Sequence, residues 1–222
     1  MKKRLLFYEL VKYINHKNAL LITGMRQVGK TTLMRQVYEE VKEPKLWFDL
    51  DNPLDQKAFE DEDYTVIYKR LADMGKKAGR LSVFIDEIQN FPEITKVIKY
   101  LIDHYGVKFY LTGSSSFYLK NLFPESLSGR KFLYELSPLS FHEYLYFKNA
   151  IDLKEAQNFV LQDAFKKNTI FTHKSRVAEY DDFLMYGGFP EVVITDDKDT
   201  KVMVLKNIFD SFFEKDIKIL SD

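Results

Sequence analysis

Gly24-Met25-Arg26-Gln27-Val28-Gly29-Lys30-Thr31-Thr32 places four residues between a glycine and a Gly-Lys-Thr, the spacing of a phosphate-binding loop or Walker A motif. The flanks fit that reading. Asn18-Ala19-Leu20-Leu21-Ile22-Thr23 is a short apolar run expected to be a buried strand, and Leu33 to Glu40 carries apolar residues at helical spacing. Gly24 and Gly29 let the backbone turn tightly and approach phosphate oxygens with no Cβ in the way. Successive N–H groups from Gly24 to Thr32 then form an anion nest, joined by the free donors at the start of the helix. In that arrangement Met25, Arg26, Gln27 and Val28 contribute backbone, and Lys30 reaches the β- and γ-phosphates. The Thr31 hydroxyl is the expected ligand of a Mg²⁺ ion, which keeps several waters and takes few protein ligands.

The rest of the chain frames this loop. Its 222 residues suit one α/β domain with a smaller appendage. With 33 basic and 33 acidic residues the net charge is zero, so global charge gives no support to a general nucleic-acid or membrane-surface role. There is no cysteine, which excludes disulfides and thiolate-bound metals. No apolar stretch is long enough to span a bilayer, and Met1-Lys2-Lys3-Arg4 leads into an amphipathic helix (Leu5, Leu6, Leu10, Val11, Ile14) rather than a signal-peptide core. The expected location is cytoplasmic.

Further strands are expected at 45–50, 81–85, 107–112 and 131–136, with helices over about 55–77 and 92–105 between them. Strands alternating with helices imply crossover connections and a mainly parallel sheet with helices on both faces, hence an α/β P-loop core over residues 1–137. Beyond Pro138 the strand signal fades. Ser140-Phe141-His142-Glu143 reads as a capping box, followed by helical stretches at 152–167 and 177–186, so residues 138–222 form a helical lid and linker helix. From Lys201 on, Leu205, Ile208, Phe209, Phe212 and Phe213 make an apolar stripe. It either packs back on the helical region, or the 201–222 helix docks a C-terminal domain or a protein partner.

Leu81-Ser82-Val83-Phe84-Ile85-Asp86-Glu87 is an apolar strand delivering two acids at its carboxyl end, about fifty-five residues after the phosphate loop. That is a Walker B pattern. Asp86 is expected to hold the Mg²⁺ shell from the strand beside the phosphate-loop strand, and Glu87 to polarise an attacking water as general base. Thr112-Gly113-Ser114-Ser115-Ser116 ends the next strand, where a small polar residue can touch the γ-phosphate. Ser114 is the expected sensor; the same serines also suit a helix N-cap. Arg130 is either an arginine finger or phosphate sensor, or pairs with a carboxylate of the acidic loops, and Arg26 either faces the nucleotide or a partner subunit, or forms a structural salt bridge. Gln89 either orients water or caps the next helix.

Taken jointly, these motifs resemble the prokaryotic AAA-type ATPases. Besides the Walker elements, the residues that carry the resemblance are Leu111-Thr112-Gly113-Ser114, Leu127-Ser128-Gly129-Arg130, Leu136-Ser137-Pro138-Leu139-Ser140-Phe141-His142-Glu143-Tyr144 and Tyr186-Gly187-Gly188-Phe189-Pro190. The resemblance implies a five-stranded sheet of order 5-1-4-3-2, a helical lid, ATP and Mg²⁺ as cofactors, and the roles above for Lys30, Thr31, Asp86 and Glu87. It also implies a C-terminal domain beyond residue 222, and relatives that often assemble as homo-oligomers.

Three functions follow from the residues: an ATPase driving lid or partner motion, a non-catalytic nucleotide switch or scaffold, and a DNA-associated ATPase. The Asp86-Glu87 pair favours the first, because a glutamate beside the Walker B aspartate suits attack by water. The third rests on Lys166-Lys167, His173-Lys174 and Arg176, a run that more often forms a solvated face.

Overall fold

β1 (Ala19–Thr23) is buried at all five positions, as are β3 (Ser82–Asp86) and, over six residues, β4 (Lys108–Gly113). Strands covered on both faces read as continuous apolar runs, and such strands belong in a parallel sheet. The computed structural model describes residues 2–76, 78–113, 127–158 and 176–214. In it these strands join β2 (Lys45–Asp49) and β5 (Lys131–Glu135) in one five-stranded, fully parallel sheet of order β2-β3-β4-β1-β5, which is the expected 5-1-4-3-2. The chain divides into two compact units, one of Leu6–Met25 and Gly29–Leu136, the other of Met1–Leu5, Arg26–Val28 and Ser137–Asp222.

The first unit contains the sheet and, from Leu6 on, α1 (Leu5–Val11). On one face Leu21, Phe48, Ile85 and Leu111 pack with Ile67 and Leu71 of α4 (Tyr64–Gly75) and with Ile94, Val97, Ile98 and Leu101 of α5 (Ile94–Tyr105). The other face carries an aromatic row. Trp47, Phe84 and Tyr110 are register partners on neighbouring strands and stack with interplanar angles of 9° and 3°. Tyr38 of α2 (Lys30–Glu40) meets Trp47 and Phe84 edge-on, so the helix that follows the phosphate loop is seated on the sheet through aromatic contacts.

The helix expected over about 55–77 is broken. Asn52 accepts from the Leu54 N–H and starts a short α3 (Pro53–Gln56), which runs into a 3₁₀ turn, Lys57–Phe59. Asp63 then accepts from the Thr65 N–H and starts α4 afresh. Local side-chain caps thus compete with helix continuation, as short polar side chains do.

The second unit is helical: α6 (Phe141–Phe147), α7 (Leu153–Gln157), α8 (Val177–Tyr186), α9 (Pro190–Ile194) and α10 (Lys198–Phe212). Leu139, Tyr144, Leu145 and Val193 form its core, with Phe141 and Phe183 packed against them. The Tyr144 hydroxyl and the buried Lys201 ammonium both donate to Asp182, tying α6 and α10 to α8.

Two expectations change here. The pattern at Ser140–Glu143 forms only half a capping box. Ser140 Oγ accepts from the Glu143 N–H at 3.3 Å, while the Glu143 carboxylate is taken by Arg4 and by the Leu5 N–H, 2.9 Å away. The complete box is at Asp152 and Glu155, and it opens α7. On α10, Ile208 is buried while Phe209 and Phe213 are 59% and 46% exposed, so the apolar stripe packs only in part within its own unit. Residues 215–222 of the expected 201–222 helix lie outside the described residues, as do most of those expected to be helical over 152–167.

The amino ends of the strands carry a buried amine. Lys108 is 1% exposed and donates to the carbonyls of Tyr13 and Asn18. With Arg80, Glu43, Ser82 and Tyr110 it lines a cavity of about 290 Å³. This cavity is at the opposite end of the sheet from the phosphate loop. Desolvation, reinforced by the Arg80 guanidinium, pulls the Lys108 pKa from 10.5 down to about 7. Between those values the unfolded chain holds a proton that the folded chain has released, so stability rises with pH across that window. Below pH 7 both states are protonated and the full desolvation cost remains. Urea unfolding at pH 6.5 and pH 9.5 is therefore expected to show a gain on the order of a few kcal/mol at the higher pH. In Lys108→Met that gain should be largely lost.

Candidate functional site

The phosphate loop follows directly from β1. Gly24 leaves the strand at φ 147°, and a Cβ there would lie 2.1 Å from the Leu136 carbonyl oxygen, so only glycine fits. Gln27 and Gly29 are left-handed at φ 60° and 94°. A loop that alternates handedness in this way turns successive N–H groups to one side, which is the geometry of an anion nest. Lys30 is the first residue of α2, and its ammonium donates to the carbonyls of Gly24 at 3.0 Å and Met25 at 2.8 Å. The lysine therefore lies back across the loop that precedes it. Gly29, the residue before α2, has no side chain with which to cap the helix. Met25 is exposed, Arg26 and Thr31 are half-buried, and Thr32 follows in the first turn of α2.

Asp86 is the last residue of β3 and is buried at 4% exposure. The strand carrying it is not the neighbour of the phosphate-loop strand, as the sequence suggested. β4 lies between them, which sets Asp86 two strand spacings, or roughly 10 Å, from β1. The intervening strand supplies Thr112, the register partner of Ile22 on β1. Its hydroxyl donates to Asp86 Oδ1 and accepts from the Glu87 N–H at 3.2 Å. One buried hydroxyl therefore bonds both the Asp86 carboxylate and the backbone of Glu87.

Glu87 adopts a left-handed backbone, φ 53° and ψ 50°, and opens a 3₁₀ turn over Ile88–Asn90. A non-glycine residue there is strained, and strain held at a strand end re-aims a side chain. The Glu87 carboxylate accepts from the side-chain amide of Gln89. Thr112 was not singled out in the sequence because a threonine closing an apolar strand looks like ordinary β-propensity. Its distinguishing mark is register, which the sequence does not display.

Arg130 forms the ion pair that is one of its readings, away from the phosphate loop. It precedes β5, and its carbonyl accepts from the Ala19 N–H, so it sits at the amino ends of the strands. About 15 Å of strand separates it from Gly24. Its Nε donates to Asp103 at 2.6 Å and Nη1 to the Ser128 carbonyl, which raises its pKa and lowers that of Asp103. Arg130 cannot reach a phosphate held by the loop of its own chain. Ser114 and Ser115 lie outside the described residues, as do Lys166, Lys167, His173 and Lys174.

Among the described residues no three His, Cys, Asp or Glu side chains gather as a metal cluster. Thr31 in the first turn of α2 and Asp86 at the end of β3 are the residues there whose chemistry could hold a cation bound together with phosphate. Among the same residues no helix is long and apolar enough to cross a membrane.

A parallel sheet of this order, with a glycine loop and helix after β1, an interior strand, is the core of the P-loop nucleoside triphosphatases. The family model of an AAA domain matches residues 16–145, and the chain belongs to this family of AAA-type ATPases. An uncharacterized protein of Methanocaldococcus jannaschii is 30% identical over 89% of this chain and 41% of its own length. Another, from Haemophilus influenzae, is 25% identical over 94% of this chain and 48% of its own length. The chain thus spans less than half the length of these relatives. Among solved structures, a Walker-type ATPase of Pyrococcus abyssi superposes with a TM-score of 0.57 at 15% identity, covering 97% of this chain and 74% of that one, a likeness of fold.

Replacing the Thr112 hydroxyl tests the grip on the two acids. Thr112→Val keeps the shape and strips Asp86 of a buried donor, for an expected loss of about 1–3 kcal/mol in urea unfolding at pH 7. Thr112→Ser, which keeps the hydroxyl, is expected to recover most of it.

Proposed function

We propose that the protein binds ATP with Mg²⁺ and hydrolyses it, coupling turnover to movement of a helical lid formed by residues 138–222 or of a partner. The observation that carries this reading is the left-handed Glu87 beside the buried Asp86, both held by Thr112 at the carboxyl end of the sheet. In open parallel sheets ligands bind outside the carboxyl ends of the strands, the end from which the phosphate loop also springs. Backbone N–H groups from Gly24 to Thr32 would cradle the β- and γ-phosphates. Lys30 would exchange its two carbonyl partners for phosphate oxygens, a charge-assisted and stronger interaction.

When bound, Mg²⁺ would neutralise charge developing on the phosphates, with Thr31 and Asp86 as its protein partners. Glu87 would take the proton of the attacking water, its carboxylate oriented by the Gln89 amide. Ser114 is assigned the γ-phosphate sensor by its position after β4. A hydrolytic reaction, rather than transfer to a bound acceptor, follows from a general base adjacent to the metal-binding aspartate.

Phosphate release and nucleotide affinity, measured together on the 222-residue chain, test the assignment. Glu87→Gln is expected to cut turnover by about 10²- to 10⁴-fold with affinity nearly unchanged. Lys30→Ala is expected to weaken Mg·ATP binding by about tenfold or more. Wild type and Glu87→Gln releasing phosphate equally, at the rate of buffer, would remove the hydrolytic assignment and leave a nucleotide switch.

A further inference from the structure

Arg4 is 6% exposed, which is rare for an arginine, and is held by acceptors on three separate segments. Nε and Nη2 form a bidentate pair with the two carboxylate oxygens of Glu143, each at 2.9 Å. Nη2 also donates to the Ser137 carbonyl, and Nη1 donates to the carbonyl of Val28, both at 2.9 Å. Glu143, itself 7% exposed, additionally accepts from the Leu5 N–H. Val28 is the residue before Gly29 in the phosphate loop. From the described hydrogen bonds, the guanidinium acts as a fixed fork between α6 and one peptide group of that loop.

The position of that peptide group matters. In a planar trans peptide the carbonyl and the following N–H point in opposite directions. Turning the Val28 oxygen towards Arg4 therefore turns the Gly29 N–H the other way, as a donor for the nest. Gly29 does not enforce this orientation itself, because glycine accepts either sign of φ and tolerates a flipped peptide. Flipped, the same peptide would present a carbonyl oxygen where a phosphate oxygen should bind. A buried, charge-assisted hydrogen bond from a preorganised guanidinium selects one orientation.

We infer that Arg4 is a positioning residue of the phosphate loop: it holds the Val28–Gly29 peptide in its nucleotide-binding orientation, and Glu143 on α6 holds Arg4. The inference rests on the phosphate-loop reading above and adds a control point to it.

The test uses Mg·ATP and Mg·ADP affinities alongside thermal melting of the 222-residue chain. Arg4→Lys keeps the charge but not the fork, and is expected to weaken both nucleotides about tenfold. The double variant Arg4→Met with Glu143→Leu removes both buried charges together, which protects the fold, yet leaves the Val28 carbonyl without its donor. It also leaves the Leu5 N–H and the Ser137 carbonyl unpaired, so it should stay folded but melt below wild type, as Lys201→Met should, and unlike Lys201→Met lose about tenfold in affinity. Lys201→Met, which breaks the Asp182 pair in the same helical unit, is expected to lower the melting temperature and leave affinity unchanged. A folded double variant that binds within twofold of wild type would overturn the Arg4 role. So would affinity that merely tracks melting temperature across all the variants. Lys30→Ala separates the two levels: if it binds as wild type does, or if wild type binds no nucleotide, the phosphate-loop reading falls and the Arg4 role with it.

Discussion

β1 pairs in parallel with β4 on one side and β5 on the other, and the rest of the first unit follows from that double pairing. A parallel strand satisfied along both edges is closed to solvent, so both of its faces must be apolar and covered. Ala19-Leu20-Leu21-Ile22 meets that demand. Because every strand runs the same way, the ends of β1, β3 and β4 fall on one edge, and Gly24, Asp86, Glu87 and Thr112 arrive there together. Gly24 shows how tight the junction is: the Thr23 carbonyl accepts from the Leu136 N–H at 2.7 Å while the Leu136 oxygen occupies the space a Cβ would need.

Several polar groups of this protein are buried in small sets that satisfy one another. Thr112 serves Asp86 and Glu87, Asp182 serves Tyr144 and Lys201, and Arg4 serves Glu143, Ser137 and Val28. Such groups are costly to bury without partners, so each set constrains its neighbours more sharply than an apolar contact does. The Arg4 set bears on chemistry because one of its acceptors is a loop carbonyl. The Lys108 set, at the far end of the sheet, bears on stability and on its pH dependence.

The nine-residue loop, the strand ending in Asp86-Glu87 and the alternation of strands with helices were legible because each is a local pattern. Strand boundaries fell within about a residue of their expected places, since the apolar runs end where the backbone leaves the sheet. The region 55–77 was less legible, because Asn52 and Asp63 act as caps only when the surrounding chain lets their carboxamide and carboxylate turn back onto the backbone. Ser140–Glu143 misled in the opposite sense. The local pattern is a capping box, but a buried guanidinium more than a hundred positions away outcompetes a backbone N–H for the Glu143 carboxylate.

By itself the sequence determined the fold class, the phosphate loop and the acids paired with it, because glycine permissiveness, apolar periodicity and motif spacing act over a few residues. Tertiary structure alone decided that Thr112 bonds the Asp86 carboxylate and the Glu87 backbone, that Arg130 pairs with Asp103 far from the loop, and that Arg4 reaches Val28. Those facts depend on strand register and on contacts between residues distant in the chain. A guanidinium at position 4 has no sequence mark that distinguishes it from any other exposed cation. Only burial and four directed hydrogen bonds make it part of the loop.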